Sequence, residues 1–163
     1  MPEPAEDDVN AVTSAVLTAS RLLVAVSARS LAAADERVTL PQFRMLVVLA
    51  GGETKLVTLA ERLAVNPSTA MRMLDRLIAA GFVDRRTNPA NRRENVLRLT
   101  GEGRRIVDAV TARRRDEIAG IVARMPAAER GGLVTALRAF TDAGDEPPVG
   151  AAPAHDAIPL GWD

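Results

Sequence analysis

Residues Thr58 to Gly103 read TLAERLAVNPSTAMRMLDRLIAAGFVDRRTNPANRRENVLRLTGEG and contain several helix and strand signals in close succession. Thr58 and Glu61 match a capping box, T-x-x-E, in which two side chains satisfy free backbone N–H groups at a helix start. This pattern predicts a short helix that ends near Ala64.

A second helix follows almost at once. Asn66 is a preferred N-cap residue, and Pro67 suits the first helical position because its missing N–H would have no partner there. The pattern predicts a helix that runs to Ala80 and stops at Gly81. Two helices separated by about three residues are typical of a helix-turn-helix, whose second helix can enter the major groove of DNA.

Two short strands are expected after this pair of helices. Residues 82–86 and 96–99 have the composition of strands and flank a turn at Asn88-Pro89. Four arginines surround that turn, two on each side: Arg85, Arg86, Arg92 and Arg93. A helix-turn-helix followed by such a ribbon predicts a winged helix-turn-helix lobe over about residues 39–100.

Helices are also expected before this stretch. Over residues 8–34 apolar side chains recur with helical spacing, at Val12, Val16, Ala19, Leu23 and Val26. Thr39 and Pro41 predict the start of a further helix, which stops at Gly51-Gly52. The inward face of that helix is expected to consist of Phe43, Leu46, Val47 and Ala50.

The C-terminal part predicts two more helices and a tail. Thr100 caps a helix that reaches about Met125, and Pro126 opens another that ends near Asp142. The buried stripe of the first is expected to consist of Ile106, Val110, Ile118, Ile121 and Met125. Residues 143–163 predict an irregular or disordered tail. The expected fold is mainly α with a small two-stranded β wing, a single unit over residues 8–142.

Composition excludes several classes of protein. The chain contains no cysteine, which excludes disulfides and thiolate metal sites, and its lone histidine, His155, lies in the tail. Clustered nucleophiles and paired carboxylates are not evident, so neither an enzyme, a metal site nor a cofactor is expected. The acidic N-terminus is no secretory signal, and uninterrupted apolar runs are too short to span a bilayer. A cytoplasmic protein is the simplest interpretation.

Charge is distributed unevenly along a chain that is neutral overall. Residues 54–115 contain 14 basic side chains against 6 acidic ones, whereas residues 1–20 and 141–163 contain acids and no base. A positive middle between acidic ends favours a polyanion-binding surface. Because 20 of the 21 basic residues are arginine, a general preference for arginine is the alternative.

One face of the second helix carries side chains that can read bases: Ser68, Thr69, Arg72, Met73 and Arg76. The opposite face is expected to pack inward through Met71, Leu74, Leu77 and Ile78. Arginine bonds guanine with two hydrogen bonds, and Ser or Thr can bond bases or phosphates. An ordinary solvated face is the alternative, which the adjoining capped helix and basic ribbon disfavour.

The arginine-rich turn suits the same target. Arginines at a projecting tip can enter the minor groove, where narrow A·T tracts concentrate negative potential. The four arginines of the ribbon are therefore predicted to supply phosphate contacts and one minor-groove contact. A solvated charged hairpin is the alternative.

The whole stretch resembles the MarR family of bacterial transcriptional regulators. The family elements L-A-x-x-L, P-S-x₆-D-x-L, G-x-V-x-R, D-P-x-D-R-R and L-T-x-x-G have counterparts here, in that order, at 59–63, 67–77, 81–85, 88–93 and 99–103. This core match covers about 45 residues. The resemblance implies a homodimer, interlocked through helices 8–34 and 101–142, that binds a palindromic operator on double-stranded DNA as a repressor.

Two asparagines depart from the family pattern. Asn88 and Asn91 stand where the family usually has acids, and Arg93 corresponds to its wing-tip arginine. An aspartate would fix that arginine by a charge-assisted hydrogen bond, whereas asparagine accepts a weaker one. The wing arginines are thus expected to be less preorganised and more available to DNA.

The resemblance also implies an effector, because many family members release DNA when a small anionic or aromatic molecule binds between the dimer helices and the DNA-binding lobes. Arg21, Arg29 and Arg44 lie on helices expected to border that cleft, with a surface or interface role as the alternative. A winged-helix protein-interaction module without sequence-specific DNA binding is the alternative function. The acidic ends favour that function, and the arginine-lined helix and wing oppose it.

Overall fold

The computed structural model describes residues 4–146, which form six helices and a two-stranded antiparallel sheet. In chain order these elements are α1 (Pro4–Ala34), α2 (Leu40–Ala50), α3 (Leu56–Arg62), α4 (Pro67–Ala79), β1 (Val83–Asn88), β2 (Asn91–Leu99), α5 (Gly101–Ala123) and α6 (Ala127–Ala143). The order confirms the expected fold class: α2 to α4 and the ribbon form a winged helix-turn-helix lobe, flanked by α1, α5 and α6. Most of the predicted tail, residues 147–163, lies outside the described residues.

Three predicted helix caps are present. The Thr39 hydroxyl accepts a hydrogen bond from the backbone N–H of Gln42, whose side chain accepts one in return from the Thr39 N–H. The Asn66 Oδ1 accepts from the Thr69 N–H at 2.8 Å, and Thr100 caps α5 in the same way. Each cap satisfies an N–H that the first turn leaves without a partner. Local sequence therefore sets the start of α2, α4 and α5.

The predicted capping box at Thr58 is wrong. The N-cap of α3 lies three residues earlier, at Lys55, which makes no side-chain cap hydrogen bond, and the helix begins at Leu56. The cause lies in Thr54, whose backbone N–H and C=O form hydrogen bonds of 3.0 and 2.8 Å with Leu97 of β2. This pairing ends the extended chain at residue 54, so a long-range contact fixes where α3 begins.

The core of the lobe lies between α2, α3, α4 and the ribbon. Its largest fully buried side chains include Met45, Leu46, Leu49, Leu59, Leu74, Leu77, Leu97 and Val83. The prediction that Val47 faces inward is wrong, because its side chain is 45% exposed. The buried face of α2 is centred on Met45 and Leu49, which turns Val47 away from the core.

The flanking helices are less buried than their apolar stripes predict. Helix α1 packs against α5 and α2, but its buried side chains, Val26, Ser30 and Leu31, all lie in its C-terminal third. Closer to the N-terminus of α1, the stripe residues Val12 and Leu23 are 52% and 43% exposed. On α5 the stripe is buried at Ile106 and Val110 and only half-buried at Ile118, Ile121 and Met125. Within residues 127–143, α6 buries no side chain.

Helix α1 is also long and apolar enough, over Glu6–Ala34, to cross a membrane. The expectation that apolar runs are too short for a bilayer considered only uninterrupted runs, and it overlooked this helix. Arg21 and Arg29 interrupt the apolar sequence, and the C-terminal third of the helix packs against protein. Such an exposed apolar face is equally typical of a helix that packs against a second protein chain.

The junction between the lobe and α5 depends on a close backbone approach. Gly81 ends the α4 turn with a φ of 81°, in the left-handed region that favours glycine. The Thr100 hydroxyl donates to the Gly81 carbonyl at 2.7 Å, and the Thr100 N–H donates to the Phe82 carbonyl at 3.1 Å. A Cβ on Gly103 would lie 2.1 Å from that Phe82 oxygen. The start of α5 is therefore locked against the end of α4.

We expect Gly103→Ala to lower the free energy of unfolding by about 1–3 kcal/mol, the usual cost of forcing extra atoms into a packed site. Gly101→Ala is the matched control, because an added Cβ there meets nothing within 4 Å. Chemical denaturation measures both variants. Equal midpoints for Gly103→Ala and the unmodified protein would contradict this account of the junction.

Candidate nucleic-acid interface

Helix α4 exposes part of the face that was predicted to read bases. Ser68, Arg72 and Arg76 are exposed, whereas Thr69 and Met73 are half-buried and Met73 packs against the core. The opposite side is buried through Ala70, Leu74 and Leu77, and Met71 and Ile78 are half-buried beside them. The two arginines are four residues apart, so their side chains are neighbours on the helix surface. Helix α4 thus presents a basic face while its other side is fixed in the core.

The N-terminal end of α4 is organised by side-chain hydrogen bonds. The Ser68 hydroxyl donates to the Asn66 Oδ1 at 2.7 Å, and the same oxygen accepts the Thr69 N–H. Ser68 has therefore used its one donor, and its oxygen still has lone pairs to accept a hydrogen bond. In a groove, Ser68 is suited to a base amino group and not to a phosphate.

The regular part of the ribbon stops before its tip. Strands β1 and β2 pair in register from their base as far as Thr87 and Asn95. Residues 92–94 then have no partner in the ladder, so three residues bulge from β2 beside the turn. Bulges change the direction in which side chains point. Arg92 and Arg93 lie in this bulge and are exposed. We call residues 89–94 the wing tip.

Asn88 and Asn91 hold the wing tip through its backbone. The Asn91 Oδ1 accepts a hydrogen bond from the backbone N–H of Arg93 at 3.2 Å, and the Asn88 Oδ1 accepts one from Ala90 at 3.0 Å. Within residues 4–146, the side chains of Arg92 and Arg93 form no ion pair. Their guanidinium groups are therefore available to an anionic ligand.

Arg85 and Arg86 project from opposite faces of the ribbon, because successive side chains of a strand alternate. Arg85 faces α4, where its Nη2 lies 3.0 Å from the Asp75 Oδ1 and 3.3 Å from the Met71 Sδ. Arg86 lies on the outer face, 3.7 Å from the Asp84 carboxylate. The predicted group of four wing arginines is therefore divided, with one turned to α4 and three turned to solvent.

Sequence reasoning missed the partners that hold the wing. Lys55 Nζ lies 2.8 Å from the Glu94 Oε2, and this hydrogen bond keeps the pKa of the Glu94 carboxyl below its usual value. The sequence marks Asp75 only as the acid of the P-S-x₆-D-x-L element. Because side chains alternate along a strand, Arg85 and Arg86 must point to opposite faces of the ribbon. This alternation indicates that one of the two arginines faces α4. No sequence signal marks Thr54 or Lys55, since their partners lie about 40 residues away.

The candidate effector residues do not converge on one site. Arg29 forms an ion pair with Glu117, and both line an open cleft of about 450 Å³ between α1 and α5. The other lining residues are Ser30, Ala33, Arg113 and Asp116. Arg21 and Arg44 are exposed and do not line this cleft. In the described part of the chain, no group of three or more acidic or histidine side chains is arranged to hold a metal ion.

These elements define a winged helix-turn-helix protein of the DNA-binding type. The MarR family model matches residues 38–95. RV1404 from Mycobacterium tuberculosis is 55% identical, with 86% of this chain and 96% of that chain covered and a TM-score of 0.80. The chain belongs to the MarR family of DNA-binding transcriptional regulators, whose members are generally not enzymes.

More distant structures share the fold. A MarR family protein from Bacillus stearothermophilus is 21% identical, with 86% of this chain and 98% of that chain covered and a TM-score of 0.77. BpsR from Bordetella bronchiseptica is 26% identical, with 80% and 93% covered and a TM-score of 0.61. A comparison with curated proteins found no match.

Proposed function

We propose that the chain is a homodimeric repressor that binds a palindromic operator through α4 and the wing, and that a small molecule releases it from DNA. The observation that supports this proposal most strongly is the wing tip, where two arginines are exposed and have no ion-pair partner among residues 4–146, on a ribbon that is hydrogen-bonded to α4 through Arg85. We take residues 8–142 as the functional domain, with the DNA-binding lobe at about 39–100. A protein that acts on chromosomal DNA works in the cytoplasm of a bacterium.

Helix α4 is suited to the major groove. Its buried side is fixed in the core, so the exposed arginines are presented on a rigid element, as base readout requires. Arg72 and Arg76 can each bond a guanine with two hydrogen bonds, and Ser68 can accept from a base amino group. Thr69 and Met73 are half-buried and offer at most their exposed edges.

The wing tip is suited to the minor groove. Arg92 and Arg93 lie in a bulge and form no ion pair within residues 4–146, so neither arginine has to break a salt bridge to meet DNA. Arg86, on the outer face of the ribbon, is suited to a neighbouring phosphate. Arginine in a narrow minor groove responds to the enhanced negative potential there.

We expect Arg93→Ala to weaken operator binding by about 1–3 kcal/mol, the range of one good base contact, and to leave the dimer folded. The operator is first obtained by selection from genomic fragments, and affinity is then measured by fluorescence anisotropy over a range of salt concentrations. For the unmodified protein, log K should fall linearly with log[salt], by about 0.9 for each phosphate neutralised.

The matched control is Arg124→Ala, which removes the same charge at the far end of α5, about 34 Å along the helix from the lobe at 1.5 Å per residue. It should leave affinity unchanged. Equal affinity for Arg93→Ala and the unmodified protein would refute the minor-groove assignment. Failure of every genomic fragment to bind would instead favour a protein-interaction module.

A second prediction concerns base readout by α4. Arg72→Ala and Arg76→Ala should flatten the sequence preference, because each good bidentate contact discriminates against a wrong base by about 1–3 kcal/mol. The measurement is selection from a randomised operator with each variant. If both variants weaken all sequences equally, the two arginines contact only phosphate, and the assignment of base readout to them is wrong.

The dimer is proposed from apolar faces that one chain leaves uncovered. The large exposed apolar side chains of α1 are Val9, Val12, Leu17, Leu22, Leu23 and Val24, and those of α6 are Val134, Leu137 and Phe140. Of α1, only Leu31 belongs to the buried core cluster, and no residue of α6 does. The same helices of a second copy are the natural cover, in a two-fold interface. Two recognition helices would then lie about 34 Å apart, one turn of duplex.

We expect Leu23→Glu to shift the protein toward monomer, because it places a charge in the proposed interface at a position that is 43% exposed in the single chain. Ser14→Glu, on the opposite side of α1, is the control and should leave the dimer intact. Sedimentation at low micromolar concentration measures both. The melting temperature of the unmodified protein should also rise with its concentration. A stable monomer whose melting does not depend on concentration would refute the dimer.

The cleft between α1 and α5 is the proposed effector site. The DNA binding of BpsR is regulated by 6-hydroxynicotinic acid, a small aromatic acid. In this chain Arg29 is already paired with Glu117, whereas Arg113 forms no ion pair within residues 4–146. We therefore favour Arg113 over the predicted Arg21, Arg29 and Arg44 as the partner for an acidic effector.

A further inference from the structure

We propose that Arg85 is a positioning residue that fixes the wing relative to the recognition helix through its ion pair with Asp75, and that it does not contact DNA. The inference rests on the proposed function, because it concerns how α4 and the wing act together on one DNA site. It replaces the sequence-based prediction that Arg85 contacts phosphate.

The geometry directs Arg85 away from the DNA-facing tip. Its Nη2 donates to the Asp75 Oδ1 at 3.0 Å and contacts the Met71 Sδ at 3.3 Å. Met71 and Asp75 are one helical turn apart, so the guanidinium group lies along the surface of α4. The Arg85 side chain is 35% exposed, against 59% for that of Arg86 on the outer face.

The ribbon needs such a link because a two-stranded hairpin is only marginally stable by itself. Strand β2 is supported on its outer edge by the backbone pairing of Thr54 with Leu97 and by the ion pair of Lys55 with Glu94. Strand β1 has no neighbouring strand on its other edge within the described residues. On the face of β1 that is turned to α4, Arg85 supplies the side-chain hydrogen bonds between β1 and α4.

The position of Asp75 gives the ion pair a second consequence. Asp75 lies three residues after Arg72 and immediately before Arg76, the two arginines proposed to read bases. An unpaired carboxylate there would repel the phosphates of a bound duplex. Arg85 compensates that charge, so the ion pair reduces the repulsion between Asp75 and a bound duplex.

A fixed wing makes helix binding and wing binding cooperative. Two linked binding elements reinforce each other through an effective concentration, which falls when the link becomes loose. If Arg85 holds the wing at a fixed angle to α4, the contact of Arg93 with DNA contributes most to affinity while that angle is maintained. Loss of Arg85 should therefore reduce the contribution that Arg93 makes to affinity.

The first test needs no DNA. We expect Arg85→Gln to lower the ¹⁵N relaxation order parameters of the wing amides, residues 84–95, because the ribbon gains fast motion. Arg86→Gln, one position away on the opposite face, is the matched control and should leave them unchanged. Asp75→Asn removes the partner instead and should loosen the same amides. Unchanged order parameters in both Arg85→Gln and Asp75→Asn would overturn the proposal.

The second test uses the selected operator. Arg85→Gln should weaken binding by about two- to fivefold, the size expected for an exposed ion pair, while the slope of log K against log[salt] stays the same. The fold-loss caused by Arg93→Ala should be smaller in the Arg85→Gln background than in the unmodified protein. A slope reduced by about 0.9, with losses that multiply independently, would mean that Arg85 neutralises a phosphate.

The two tests separate this inference from the proposed function. A wing that loosens in Arg85→Gln, in a protein that selects no DNA, would refute the proposed function and leave the positioning role intact. Conversely, a protein that selects an operator and requires Arg93, but whose wing is unaffected by Arg85→Gln, would refute the positioning role alone.

Discussion

A two-stranded ribbon cannot hold its shape in water without support, and the interface of this protein depends on how that support is supplied. On its inner face, Val83 and Leu97 are buried in the core of the lobe. On the outer edge of β2, the backbone of Thr54 forms one isolated antiparallel bridge with Leu97. With the base held in this way, the bulge at residues 92–94 can project its arginines without collapsing onto the lobe.

A second constraint is the uneven burial of the chain. The core of the lobe is completed by Leu31 of α1 and by the first turns of α5, whereas the apolar faces of the rest of α1, the distal half of α5 and α6 remain open in a single chain. The close packing of Gly103 against the Phe82 carbonyl joins the lobe rigidly to the long helices, because it fixes the first turn of α5 on the lobe. Any cover of the long helices by a second copy therefore sets the distance between two recognition helices. An effector in the cleft between α1 and α5 would act on that same distance.

The sequence predicted structural features that depend on residues close together in the chain. It did not predict features that depend on contacts between residues far apart in the chain. The caps at Asn66 and Thr100 use a side chain and a backbone N–H three residues apart, so local pattern was sufficient. The start of α3 was wrong because Thr54 pairs with a residue 43 positions later. Periodicity predicted α1 as a helix, but it gave no information about what covers its apolar stripe, of which only Val26 is buried in a single chain. The four wing arginines were predicted as one group, and only strand geometry separates Arg85 from the rest.

The proposed function requires that α4 and the wing tip engage the same DNA site in adjacent grooves. Chemical footprinting of the complex with its selected operator tests this most directly. We expect two regions of interference by guanine N7 methylation, about one helical turn apart, each flanked by hydroxyl-radical protection of the adjoining minor groove. Arg93→Ala should remove the flanking protection and leave the methylation pattern. A single region of interference, or protection without any methylation interference, would contradict the account.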